Sequence, residues 1–247
     1  MTRKAIGGFM KKIVCDDYKE LSSVAADFVA RQLELSKSSV FGFPTGGTPV
    51  GMYKELRRRS AAGELDFSKA AAFNLDEYYP MKREHPQSYY SFMMENLFSE
   101  VKFASFDIPN GEANNVGEEI TRYETAINAA GGIDLQILGI GVNGHIGFNE
   151  PGEYYTMSST HTNLAESTIN ANSIYFSKDE TQPTAALTMG IGSIFRAKKI
   201  ILLSSGKSKA GITKKLLEDK IYPCIPASLF LLHNDFTLVM DKDAAGQ

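Results

Sequence analysis

The apolar residues of this chain fall into short runs separated by stretches of helical period. Lys12–Cys15 is a brief apolar run, and after it Leu21, Val24, Phe28 and Leu35 lie three, four and seven apart, predicting a helix over 16–36. Val40–Phe43 reads as a buried strand that runs into PTGGTP and a second helical stretch, Val50–Arg59, with Met52 and Leu56 four apart. Ala70–Leu75 is again short and apolar, and 88–100 has helical spacing. The second half keeps this rhythm. Ile120, Tyr123 and Ile127 share one face of a helix over 118–130, and Asp134–Ile140 is a strand ending in a glycine-rich turn. Lys199–Ser204 is a strong strand followed by a helix over 207–219, and Phe236–Met240 is the last strand.

Strands that alternate with helices need crossover connections, so the expected architecture is α/β: one Rossmann-like domain spanning 1–247, with a mostly parallel sheet and helices on both faces. Strand order does not follow from the pattern. In open α/β sheets ligands sit beyond the carboxyl ends of the strands, which directs attention to the polar residues after each run. Four clusters fall there: Thr45–Thr48, Asp76–Glu77, Asn143 to Glu150, and Ser205–Lys209.

Composition narrows the function classes. With 247 residues, 43% hydrophobic and 22% charged, the chain is in the ordinary globular range, and its net charge of −3 argues against nucleic acid as a partner. No apolar run approaches the roughly 18 residues of a membrane span, and the basic start MTRKAIGGFMKKIVC lacks the apolar stretch of a secretory signal. Cys15 and Cys224 are too few for a disulfide framework or a thiolate metal site. The expectation is a soluble, cytoplasmic, cofactor-poor globular protein with no metal and no membrane partner.

Each cluster admits a chemical and a structural role. In Thr45-Gly46-Gly47-Thr48, adjacent glycines let the backbone approach a ligand and the following helix start favours an anion; Thr48 is equally suited to cap that helix. Asp76 and Glu77 put two carboxylates at a strand end, where desolvation raises their proton affinity into the range of a base; a solvated pair or a helix cap is the alternative. GIGVNGHIGFNEPG places His145 and Glu150 in one glycine-rich loop, and a carboxylate beside a histidine orients the ring and favours its protonated form. Lys209 at a strand-to-helix junction offers a cation to an anionic ligand, or a solvated surface charge. The remaining histidines, His85, His161 and His233, have no comparable setting. No His-Glu-x-x-His or Gly-x-Ser-x-Gly run is present.

The stretches FGFPTGGTPVGMYKEL, FNLDEYYP, HPQSYYSFM, GIGVNGHIGFNEPG and ALTMGIGSIFRAKKIILLSSGKSKA together resemble the glucosamine-6-phosphate deaminase family, with a looser match at IPASLFLLHNDFTLVMD. Galactosamine-6-phosphate isomerases and 6-phosphogluconolactonases belong to the same superfamily. The resemblance implies opening of an aminosugar phosphate ring, aldose-to-ketose conversion and loss of ammonia, giving fructose 6-phosphate. It implies no cofactor, because C1 is reduced as C2 is oxidised. By the same resemblance Asp76 is the C2 base, and His145 is the ring-opening acid/base with Glu150 and Asn143 as partners. Thr45, Gly46, Gly47, Thr48 and Lys209 resemble the family's phosphate site, and Glu77 is expected to contact substrate with them. A galactosamine-6-phosphate isomerase and a silent sugar-phosphate sensor are the alternatives; a lactonase needs no base at C2.

Two departures stand out. Asn143 replaces the acid some family members carry, which orients His145 without adding charge. Ile174, in Ala171–Phe176, stands where the family usually has a phosphate-binding arginine, so Lys207, Arg196 or another cation is expected to compensate, or the substrate differs. Segment Ser158–Asn163 offers only His161 where hexameric members have basic effector-binding residues, so strong activation by N-acetylglucosamine 6-phosphate is not expected. The oligomeric state, monomer or homo-oligomer, stays open.

Overall fold

The computed structural model describes residues 10–166, 168–169, 176 and 182–247. Ile174 lies outside the described residues. The strands β1 (Lys11–Cys15), β2 (Val40–Phe43), β3 (Ala71–Asn74), β5 (Ser105–Asp107), β6 (Leu135–Gly139), β9 (Ile200–Ser204) and β10 (Phe236–Asp241) form one seven-stranded sheet. Its spatial order is β1-β10-β9-β6-β2-β3-β5, and every neighbouring pair is parallel.

Such a sheet must be apolar on both faces, and the central strands show why theirs are continuous hydrophobic runs. In β9, Ile200 and Leu202 enter one core while Ile201 and Leu203 enter the other. Each such side chain, fully buried, contributes about 1.5–3 kcal/mol. Helices α1 (Tyr18–Leu35) and α2 (Val50–Ala61) cover the second face, with Leu21, Val24, Val29, Met52 and Leu56 buried there. On the first face lie α4 (Val116–Ala129), through Tyr123 and Ile127, and α6 (Ala210–Leu217), through Ile212 and Leu216. Asp17 and Asn115 cap α1 and α4 by accepting the amides of Glu20 and Glu118. Leu35, expected on the buried face of α1, is 74% exposed at the helix's last residue, and Leu33 is buried instead.

A second sheet departs from the sequence reading. Residues Asp76–Tyr79, which follow the expected strand at Ala70–Leu75, form a further strand, β4. It pairs antiparallel with β8 (Ala185–Thr188), which also pairs with β7 (Thr160–Asn163). Only Leu75 separates β3 from β4. Its amide donates to Phe43 in β2, 3.1 Å, and its carbonyl accepts from Met189 beyond β8, 2.9 Å. The chain thus crosses between sheets in one residue.

The expected helix over 88–100 is α3 (Tyr89–Met93) followed by a π-helical turn, Met94–Phe98. That over 207–219 opens with a 3₁₀ turn, Lys207–Lys209, ahead of α6. A short α5 (Ile191–Phe195) precedes β9, and α7 (Lys242–Ala245) follows β10.

Candidate active site

The carboxyl ends of β2, β3, β6 and β9 surround a cavity of about 380 Å³. Thr45 to Thr48, Asp76, Asn143, His145 and Lys209 all line it. The sheet order explains why clusters so far apart in sequence meet, since β9, β6, β2 and β3 are consecutive neighbours.

The Thr45–Thr48 loop leaves β2 and enters α2. Gly46 has φ of +94°, a left-handed conformation that penalises any side chain. Helix α2 begins after Pro49 with no side-chain cap, so Thr48 does not take the capping role its position suggested. The amides of Gly46, Gly47 and Thr48 find no acceptor among the described residues. The Tyr18 hydroxyl braces the loop, donating to the carbonyls of Gly47 and Thr48 (both 3.1 Å) and accepting from Gly51 N–H at 2.8 Å. Facing the loop, Lys209 is half-buried and makes no ion pair among the described residues, and burial holds its ammonium below the usual lysine range. Its segment is anchored by Asp241, whose buried carboxylate accepts from Ser205 Oγ, from Gly206 N–H and, at 2.8 Å, from Ala244 N–H.

Asp76 opens β4 and is 4% exposed. Burial, with the Glu77 charge adding to it, pushes its carboxyl up to about 8. The backbone of Gly147 packs so closely that a Cβ there would lie 2.9 Å from Asp76 Oδ2. Glu77 does not share the cavity. Successive strand residues face opposite sides, so its carboxylate points away from Asp76's and accepts the amides of Tyr78, Tyr89 and Tyr90 at 2.8–2.9 Å. Glu77, expected to contact substrate, thus does not line this cavity; it holds the first two amides of α3 instead.

The loop after β6 folds back on itself through Gly144 N–H to Gly141 O and Gly141 N–H to His145 O, both 3.0 Å. The His145 ring rests on Gly141, where a Cβ would lie 2.3 Å from it. Its Nδ1 is 3.3 Å from Glu150 Oε1. Glu150 Oε2 accepts from Asn143 Nδ2 at 2.7 Å, and Oε1 from Thr168 Oγ1 at 3.0 Å. Asn143 Oδ1 accepts the His145 amide, 3.1 Å, so one amide side chain orients both members of the pair. Burial opposes ionisation of Glu150, yet His145, Asn143 and Thr168 together hold its carboxyl below the usual value.

Two cavity residues escaped the sequence reading. Tyr89 lies in HPQSYYSFM, a stretch singled out for resemblance without a role, and its phenol interacts with the side chains of Thr45 and Tyr78. Thr168 had no local signal. Arg196 and Lys207, considered as replacement cations, do not line the cavity; Arg196 pairs with Glu124 at 2.9 Å. The other histidines lie elsewhere: His85 stacks on Phe176, His161 meets Tyr79 edge-on, and His233 Nε2 is 2.8 Å from Ala197 O.

The sequence pattern of the family described as glucosamine-6-phosphate isomerases/6-phosphogluconolactonase matches residues 16–239. A glucosamine-6-phosphate deaminase from Clostridium botulinum strain Hall is 51% identical over 240 residues, covering 96% of this chain and 98% of its own. One from a Thermoanaerobacter species is 48% identical over 238 residues, covering 96% and 94%. A solved structure described as a monomeric glucosamine-6-phosphate deaminase superposes with a TM-score of 0.91 at 41% identity, over 96% of this chain and 99% of that one. The chain belongs to the glucosamine-6-phosphate isomerase/6-phosphogluconolactonase family.

Proposed function

We propose that this protein is a glucosamine-6-phosphate deaminase, converting glucosamine 6-phosphate and water to fructose 6-phosphate and ammonia. The observation that carries the reading is the convergence on one cavity of the buried Asp76, His145 with Glu150 behind its ring, and an anion-binding wall made by Thr45–Thr48 and Lys209. The phosphate is bound by the free amides of the loop, its threonine hydroxyls and the lysine.

His145, oriented by Asn143 and Glu150, exchanges the proton between the C1 hydroxyl and the ring oxygen, opening the ring to an aldehyde. Asp76 then removes the C2 proton. As the C1=C2 double bond forms, O1 takes a proton from the substrate's ammonium group, giving a neutral enolamine. The protonated Asp76 returns its proton to C1, leaving an iminium at C2; water adds there and ammonium departs. Carbon 1 is reduced and carbon 2 oxidised within one molecule, so no redox cofactor enters the balance. The ammonium of the bound sugar also offsets the cost of ionising a buried carboxyl, so substrate binding itself readies the base.

We take the chain as one domain acting as a cytoplasmic monomer; the monomeric structural relative supports the last point. Among the described residues no helix is long and apolar enough to cross a membrane. The test is ammonia release from glucosamine 6-phosphate and galactosamine 6-phosphate side by side, with glucosamine as control. Fast turnover of the gluco sugar, with fructose 6-phosphate formed in equal amount, is expected. Preference for the galacto sugar would move the substrate and keep the mechanism, and silence from folded protein would overturn the reading.

A further inference from the structure

The residue behind the base is more heavily bonded than the base itself. Glu77 is 2% exposed, and its two oxygens hold three backbone amides: Tyr78 on its own strand, and Tyr89 and Tyr90 at the start of α3. Through Tyr89 that helix end reaches the cavity, where the phenol meets Thr45 of the anion-binding loop and feels the charge of Asp76.

No cation neutralises Glu77 among the described residues. A second cavity of about 650 Å³ lies behind it, but its cations are engaged elsewhere. Arg122 holds Asp107 and Glu119 at 2.6 and 2.7 Å, and the Arg83 guanidinium stacks 3.9 Å from the centre of the Tyr90 ring. Glu112 accepts the Arg83 amide, 3.0 Å. From β8 the facing residue is Leu187, which carries no charge. Glu77 is therefore held by amide dipoles alone; burial pushes its carboxyl up to about 7 against the pull of those amides, so it ionises ahead of Asp76 and carries its charge from about pH 7 upward.

We propose that Glu77 is a positioning residue for the reaction: it fixes the end of α3 that carries Tyr89 and places a second negative charge behind Asp76. The inference rests on reading Asp76 as the C2 base. Two effects follow from one carboxylate. Geometry at the Tyr89 end sets how well substrate is seated, and charge at the Asp76 end keeps that carboxyl proton-bound until a cationic substrate arrives.

The variants Glu77→Gln and Glu77→Asp separate these effects. Glutamine removes the charge and gives up one amide acceptor; aspartate keeps the charge and shortens the reach. The titration of the Asp76 carboxyl carbon is followed by ¹³C NMR, assigned against Asp76→Asn, together with the pH profile of kcat/KM on glucosamine 6-phosphate. In Glu77→Gln the Asp76 titration and the acid limb of the profile are expected to move to lower pH. In Glu77→Asp both are expected to stay, while kcat/KM falls on the order of tenfold to a hundredfold from misplacement of the cavity wall. A folded Glu77→Gln with the wild-type titration would overturn the electrostatic half. Wild-type kcat/KM in Glu77→Asp would overturn the positioning half, and that variant decides alone should Glu77→Gln fail to fold. The NMR titration reads Glu77's effect whether or not the wild type turns over any sugar, so failure of the functional reading shows separately as absent ammonia release.

Discussion

The Nδ1 atom of His145 lies 3.3 Å from Oε1 of Glu150, and that carboxylate is itself held by Asn143 and Thr168. The ring thereby has a defined orientation, with Nε2 left for substrate. His145→Ala is expected to lower kcat about a hundredfold or more, as for loss of a general acid/base. Glu150→Gln is expected to lower it less, since the ring stays in place. Steady-state rates of the two variants check the order.

Asp76 carries a sign that ordinary acidic residues do not. Its folded-state value near 8 lies far above the unfolded one, so between about pH 4 and 8 the native protein holds a proton that the unfolded chain has released. Stability is lost as pH rises through that window. Asp76→Asn removes the effect. It should be more stable than wild type at pH 8, on the order of a few kcal/mol, and equally stable near pH 4. Ammonia release should vanish while phosphate binding survives. Urea denaturation at the two pH values, with a binding titration, tests both.

Gly141 supplies the floor beneath the His145 ring. Gly141→Ala would put a Cβ 2.3–2.5 Å from three ring atoms, so the imidazole must shift away from Glu150. Expected is a loss of kcat on the order of a hundredfold with the fold retained. Circular dichroism beside kinetics distinguishes this from unfolding.

Lys209 is the cation that lines the cavity among the described residues. Lys209→Met is expected to raise KM for the phosphorylated sugar, a charge-assisted contact contributing about 1.5–3 kcal/mol, or roughly tenfold to a hundredfold. Burial lowers the lysine's proton affinity, so phosphate binding should weaken at a less alkaline pH than an exposed lysine would give. Isothermal titration with inorganic phosphate across pH reads both effects.

Sedimentation velocity is expected to give a 27.1 kDa particle. Kinetics should be hyperbolic, unchanged by N-acetylglucosamine 6-phosphate. Sigmoidal curves that this compound abolishes would count against a monomeric, unregulated enzyme.

The alternation of strands and helices was legible because each parallel strand is buried on both faces and so reads as an uninterrupted apolar run. The edge at which polar residues gather followed from the same rule. What stayed hidden was non-local. Asp76–Tyr79 is polar and aromatic, and only its pairing with Ala185–Thr188, more than 100 residues away, makes it a strand. With that strand unrecognised, the alternation that turns Glu77 away from Asp76 was invisible too. Thr160–Asn163 and Ser105–Asp107 are short and poor in apolar residues, and tertiary partners rather than local preference hold them extended. Tyr89 enters the site from the start of a helix whose first amide bonds Glu77, a contact that no local pattern announces.

The contiguity of β9, β6, β2 and β3 has a consequence for substrate length. Neighbouring strands stand about 4.8 Å apart, and the sheet's hydrogen bonds fix that spacing. The anion-holding groups ride on β9 and β2, His145 on β6, and Asp76 on the continuation of β3. On the proposed reading the sheet is in effect a ruler: a sugar phosphate with one carbon fewer is expected to seat its phosphate or present its reacting carbon to Asp76, but not both at once. Discrimination by chain length is then expected from the backbone of the scaffold, before any side chain reads a hydroxyl.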